Sequence, residues 1–252
     1  AYKTLKGQSI RQVAQDPTNP QIGEIWYNTT IGVLKGRKFT AAAWAAGGNL
    51  GTARFSFAGC GTQTAGLGFG GNAPPPSNNP VGKTEEYNGS SWSEQNDLNT
   101  VRSQLAGCGT QTAGLAFGGR LASPPTTQKN ETEEYNGSSW SEQNNLPVAK
   151  GELGGLGTQT AALSFGGEIP AGYQATSEEY DGSSWTSGGT MNTARGNFGG
   201  SGGAGTQTAG VAFGGYTTTA SNATEEYDGS SWTNGNNMGT ARYSSAGGGE
   251  TQ

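Results

Sequence analysis

At 252 residues, with a net charge of −5, 46 glycines, six tryptophans, nine tyrosines and no histidine, the chain has the size of one large all-β domain or two ordinary ones. Its scarcity of Leu, Ile, Val and Phe would alone suggest disorder, but low charge and many rings favour a fold whose core is close-packed backbone plus a few large side chains. Without histidine the usual general base, the Ser-His-Asp and Cys-His constellations and imidazole ligands for zinc or copper are excluded, so a non-enzymatic protein without metal or other cofactor is expected.

No apolar run reaches the ~18 residues needed to cross a membrane, and residues 1–20 lack the apolar stretch of a secretory signal. The expectation is therefore a soluble chain with no visible export address, no membrane insertion and no nucleic-acid partner. Residues 1–40 hold six cations (Lys3, Lys6, Arg11, Lys35, Arg37, Lys38) against two acids, whereas the rest of the chain is strongly acidic. That asymmetry marks residues 1–20 as an attachment arm carrying Lys3, Lys6 and Arg11, to be followed by a β domain over 21–252. Within that domain, 24–28, 33–40 and 41–47 read as the second, third and fourth strands of a sheet that lacks its first.

From there the chain repeats. Gly-Thr-Gln-Thr-Ala recurs at Gly61, Gly109, Gly157 and Gly205, each 48 residues after the last. Trp44, Trp92, Trp140, Trp185 and Trp232 mark five units, each with a ring five residues earlier and a cation ten residues later, namely Arg54, Arg102, Lys150, Arg195 and Arg242. In the unit that begins at Arg54, 54–60 reads as a first strand turning at Thr62-Gln63-Thr64 into a second at 65–69, which stops at Gly70-Gly71. A variable loop leads to a third strand, 84–87. The turn Asn88-Gly89, with positive φ expected at both residues, leads to a fourth strand from Trp92.

Four antiparallel strands per 45 to 48 residues, with no 3.6-residue apolar period, predict a β-propeller blade. Residues 242–252 form a first strand with no second, the piece missing at the N-terminus. Three N-terminal strands and one C-terminal strand are thus expected to close a ring of five four-stranded blades, the alternative being that further blades follow residue 252.

The recurrent Trp residues and cations are expected to be structural. The rings pack between blades, and each cation pairs with one Glu of Glu85-Glu86, Glu133-Glu134, Glu178-Glu179 or Glu225-Glu226. Arg37 and Lys38 stand where the other units have two Glu, a reversal the scheme leaves unexplained. Cys60 and Cys108 occupy equivalent positions, matched later by Leu156 and Ala204, so they read as small core residues without a disulfide. Gln63, Gln111, Gln159, Gln207 and Gln252 are expected to hydrogen-bond neighbouring blades. What varies is the connection between second and third strands, 72–83, 120–131, 168–177 and 216–224, all on one face. Its candidate ligand residues are Asn78, Asn79, Arg120, Lys129, Tyr173 and Tyr216, suited to a glycan or a protein partner.

Phe69-Gly70-Gly71, Tyr87, Trp92 and Arg102 together resemble the kelch motif, and the resemblance extends from about residue 37 to the C-terminus. Residues 20–35, and the near-identical Gly-Thr-Gln-Thr-Ala units, resemble segments of tail and fibre proteins of bacteriophages, marine ones included. That likeness implies a virion structural protein, present in multiple copies, whose arm meets other tail proteins and whose propeller braces the assembly or binds a host-surface glycan or receptor. The rival readings are a cellular kelch-like protein-interaction module and a glycosidase using the paired Glu residues. The latter is weakened by the presence of four equivalent copies.

Overall fold

The computed structural model describes residues 10–18, 24–36, 45–121, 127–199 and 202–247, which are all-β with no helix among them. The chain divides into two compact units, residues 1–46 and 47–252.

The first unit holds one sheet of β1 (Arg11–Val13), β2 (Ile25–Asn28) and β3 (Val33–Gly36), ordered β1-β2-β3. β2 and β3 form the antiparallel hairpin expected of the second and third strands. β1 was not foreseen: it lies parallel to β2, with Arg11 opposite Trp26, inside the segment read as an arm. Asp16 accepts hydrogen bonds from Lys35 Nζ at 2.5 Å, Asn28 Nδ2 at 2.8 Å and Trp26 Nε1 at 3.0 Å, and these hold its carboxyl far below the usual range. The mixed blade does not form as expected: β1 fills the edge of β2 that was to receive the C-terminal first strand, and residues 45–47 and 242–247 lie in no strand. The rest of the expected strands, 37–44 and 248–252, lies outside the described residues, as do Trp44, Lys3, Lys6 and Gln252.

The second unit holds four four-stranded antiparallel sheets, each running through the sequence from first strand to fourth. The first contains β4 (Ala58–Thr62), β5 (Ala65–Phe69), β6 (Thr84–Tyr87) and β7 (Trp92–Gln95). The second contains β8 (Ala106–Thr110) and β9 (Ala113–Phe117), then, after a short arm of β10 (Arg120–Leu121) and β11 (Thr127–Gln128), β12 (Thr132–Tyr135) and β13 (Trp140–Gln143). The third repeats this with β14 (Gly154–Thr158), β15 (Ala161–Phe165), an arm of β16 (Glu168–Ile169) and β17 (Gly172–Tyr173), β18 (Ser177–Tyr180) and β19 (Trp185–Ser187). The fourth is β20 (Gly203–Thr206), β21 (Ala209–Phe213), β22 (Thr224–Tyr227) and β23 (Trp232–Asn234).

Two local expectations need correction. The first strand begins at Ala58 rather than residue 54, because Ser56 takes a left-handed conformation that breaks the run. In the hairpin Asn88-Gly89-Ser90-Ser91 only Gly89 has positive φ; Asn88 is there as an acceptor, its Oδ1 taking the N–H groups of Ser90 and Ser91, both at 3.0 Å. This explains why Asp181 and Asp228 serve equally well in the later sheets.

Consecutive sheets lie face to face with their first strands adjacent, β4 beside β8, β8 beside β14 and β14 beside β20. Between them sit three apolar clusters, each combining the Leu and Phe of one second strand with the Tyr and Trp of the next sheet: Leu67 and Phe69 meet Tyr135 and Trp140. The Trp rings lie against Phe69, Phe117 and Phe165 with centroids 4.9, 4.9 and 5.5 Å apart, and each is worth roughly 4–6 kcal/mol of burial before entropy is counted. Each indole N–H donates to a hydroxyl of the preceding sheet: Thr84 at 2.9 Å, Thr132 at 2.9 Å and Ser177 at 3.2 Å. Gly155 lets Phe117 approach, since a Cβ there would sit 2.6 Å from the ring. Gln111, Gln159 and Gln207 also reach back, each donating to two carbonyls of the preceding sheet; Gln159 meets Gly114 and Tyr135 at 3.1 and 2.7 Å.

The two Glu residues of each third strand divide the work. The first closes an ion pair within its own repeat, Arg54–Glu85 at 3.3 Å, Arg102–Glu133 at 3.0 Å, Lys150–Glu178 at 2.5 Å and Arg195–Glu225 at 3.0 Å. The second accepts the phenol of the next sheet: Tyr135 donates to Glu86 at 2.9 Å, Tyr180 to Glu134 at 3.0 Å and Tyr227 to Glu179 at 2.5 Å.

Candidate functional site

Two residues after each recurrent cation the backbone turns through the same corner. Ser56, Gln104, Glu152, Asn197 and Ser244 have φ of 53°, 52°, 58°, 57° and 50°, a left-handed conformation costing about 1–3 kcal/mol for a non-glycine residue. A relay of backbone hydrogen bonds holds them. Gln104 N–H donates to Ser56 O at 2.9 Å, Glu152 N–H to Gln104 O at 2.9 Å, Phe198 N–H to Glu152 O at 3.2 Å, and Ser244 N–H to Asn197 O at 2.8 Å. All five corners line one cavity of about 190 Å³, whose wall also includes Phe57, Leu105 and Gly199.

The corner backbone repeats, but its side chains do not. Glu152 is buried and accepts from Gln104 Nε2 at 3.0 Å and Arg120 Nη2 at 2.8 Å; Arg120 in turn reaches Glu168 at 3.1 Å. Burial raises the Glu152 carboxyl above its usual range; Arg120 opposes that rise and Glu168 adds to it. Ser244 Oγ donates to Asn197 Oδ1 at 2.6 Å. Near Glu152 and Glu168 stands Tyr173, its phenol pushed up by burial first and by those two carboxylates next. It begins a file of edge-on rings, Tyr173 to Tyr216 at 6.0 Å and Tyr216 to Tyr243 at 5.4 Å.

A second cavity of about 130 Å³ lies between the first strands, lined by Gly59, Cys60, Gly107, Cys108, Leu156, Gly203, Ala204 and Gly247 among others. Burial pushes the Cys60 thiol up to about 12 and that of Cys108 well above its usual value, so neither supplies a thiolate near neutrality. Both are free, each donating weakly to a carbonyl of the next sheet.

Of the six residues expected to bind a ligand, Arg120, Tyr173 and Tyr216 belong to the Glu152 network and its tyrosine file. Asn78 and Asn79 sit exposed in the loop after Gly71, and Lys129 is turned to Glu131 at 2.7 Å; none of the six lines the cavity itself. Arg11, expected in the arm, is exposed and pairs with Glu24 at 3.2 Å. Among the structural cations Arg242 differs: it is exposed, and its side chain meets no carboxylate among the described residues. The corners themselves were missed, although a polar residue two positions after every cation is a visible signal once aligned. Among the described residues no group of three or more His, Cys, Asp or Glu side chains could hold a metal ion. No family profile and no curated protein matches this chain.

Proposed function

We propose that the second unit, residues 47–252, builds a kelch-like propeller whose fifth member begins at 242–247, serving as a non-catalytic recognition or bracing module of a virion appendage. The observation that carries the propeller reading is the set of five equivalent corners, linked in succession by hydrogen bonds around a single cavity. The segment 242–247 supports a fifth inner strand. Gly215 N–H donates to Arg242 O at 3.0 Å as Gly71 N–H does to Arg102 O, and Gly247 lies against Gly203 O as an inner strand should. The entry to the first sheet supports an outer strand before it, since Gly51 N–H donates to Glu85 at 2.6 Å as Asn99 N–H does to Glu133 at 2.7 Å. On this reading the fifth member takes its inner strand from residues 242–252; β2, with β1 on one edge and β3 on the other, has no edge free to receive it.

A non-catalytic role is supported by three of the four Glu pairs, in which one member is committed to a cation and the other to a tyrosine, and by the fourth, in which Glu225 is held by Arg195, so that no pair keeps both carboxylates free for glycoside hydrolysis. The appendage assignment rests on the resemblance of residues 20–35 and of the repeat to tail and fibre proteins. In the first unit Ile25, Tyr27 and Leu34 are exposed on one sheet face, the kind of surface an anchoring segment buries in an assembly. Electron microscopy of virus particles that carry the chain should show five-bladed rings on an appendage. Absence of the chain from purified particles, together with a stable free monomer that captures one cellular protein, would turn the assignment to the interaction-module reading.

A further inference from the structure

The cavity framed by the five corners, of about 190 Å³, is too small for a peptide or a drug-sized ligand, whose pockets run roughly 300–1,000 Å³. We propose that it binds a single hexopyranose unit, hydrogen-bonded by Glu152, Gln104, Asn197 and Ser244 beside the partly exposed ring of Phe57. The inference rests on the reading of this face as a recognition surface.

Three features select a compact neutral polyol. A repeat with only a structural duty at the corner would keep one residue there, as the Gln and Trp positions do, yet four different polar side chains occupy the five corners. They supply carboxylate and amide acceptors together with amide and hydroxyl donors, the mixed set that vicinal hydroxyls need. Charge argues the same way. Glu152 is already countered by Arg120, and Arg120 is shared with Glu168, which leaves neither a free cation for an anionic ligand nor a free carboxylate for an ammonium. Finally, the lining joins the polar corner side chains to the partly exposed Phe57 ring, a mixture that a pyranose meets with its hydroxyls and its C–H groups. The tyrosine file from Tyr173 to Tyr243 starts beside Glu152 and would carry further units of a chain.

The test uses the whole chain, titrated with methyl glycosides of glucose, galactose and mannose by calorimetry and saturation-transfer NMR. One of them should bind at a single site with a Kd on the order of millimolar, as suits so small a ligand. Glu152→Gln and Ser244→Ala should each weaken it, the former roughly 10- to 100-fold, the worth of hydrogen bonds to a charged acceptor. Ser93→Ala, on the outermost strand β7 and outside the lining, should change nothing. Ser244 is exposed, so its variant should fold even if the Glu152 variant does not. A matched oligosaccharide binding more tightly than the methyl glycoside would assign the unit to a chain end rather than to a free sugar. The proposal falls if no glycoside binds the folded protein, if both variants bind undiminished, or if ethanolamine or acetate takes the site instead. Host adhesion that is lost on exchange of the 120–131 loop, with no glycoside bound, would overturn this inference and leave the recognition surface standing.

Discussion

The same residues behave differently in the middle of the array and at its ends. Trp140, Trp185 and Trp232 are buried with their indole N–H groups satisfied by the preceding sheet, whereas Trp92, on the first sheet, is only half-buried and makes no such bond among the described residues. Gln111, Gln159 and Gln207 each hold two carbonyls, while Gln63 is exposed. Arg102 and Arg195 are fully buried, whereas Arg242 lies at the surface. The repeat therefore encodes the joint between sheets rather than the sheet itself, and a joint residue gains its stability only where a neighbour completes it. The Glu pair tells the same story, because its first member serves its own repeat and its second the next one.

The largest contrast should come from the cations. Arg102→Ala leaves Glu133 buried without its counter-charge and removes the donors to Glu131 O and Ala116 O, which should cost about 3–5 kcal/mol. Arg242→Ala should stay within about 0.5 kcal/mol, as exposed sites do. Urea denaturation of the two variants decides, and equal losses would mean that Arg242 has a buried partner after all. Next come the amides. Gln159→Ala strands the carbonyls of Gly114 and Tyr135 and should cost about 1–3 kcal/mol, against a change within about 0.5 kcal/mol for Gln63→Ala. Thermal melts of the pair would collapse the distinction if the two shifts matched.

The strands were legible where identity repeats. Residues 65–69 and 84–87 and the start at Trp92 stand as read, and so does the pairing of four of the five cations with one Glu, because those positions carry the same residue type in the four sheets and a defined burial pattern. The corners were not legible. Nothing in Ser56, Gln104, Glu152, Asn197 or Ser244 announces a left-handed backbone, which glycine adopts freely and other residues only under tertiary constraint. Here the constraint is the relay of bonds from neighbouring corners, a non-local cause with no mark in local sequence. β1 escaped notice for a similar reason: three residues pairing in parallel with a strand more than ten residues away leave no periodic pattern to find. Arg120, Tyr173 and Tyr216, which stand behind Glu152 or in the tyrosine file, lay in the variable loops, whereas the corner residues that line the cavity lay in what looked like strand.

The smallest effect belongs to a feature that needs no neighbour. The hairpin cap is Asn in the first two sheets and Asp in the last two, and its geometry is the same at the end of the array and in its middle. The backbone N–H of Ser231 and the hydroxyl and N–H of Ser230 hold the Asp228 carboxyl down to about 2, and similar bonds lower Asp181. A carboxyl depressed on folding adds stability that is fully present above its unfolded value, near 3.9, and is lost as pH falls through the folded value. Melting temperatures taken from pH 5 down to pH 2 should therefore fall less steeply in Asp228→Asn than in the parent chain, while the two should nearly coincide at pH 7. Asn88→Asp should add a matching acid-sensitive component to the first sheet. If Asn88→Asp produced none, the cap would depend on its place in the array, and the division between joint residues and local ones would have to be redrawn.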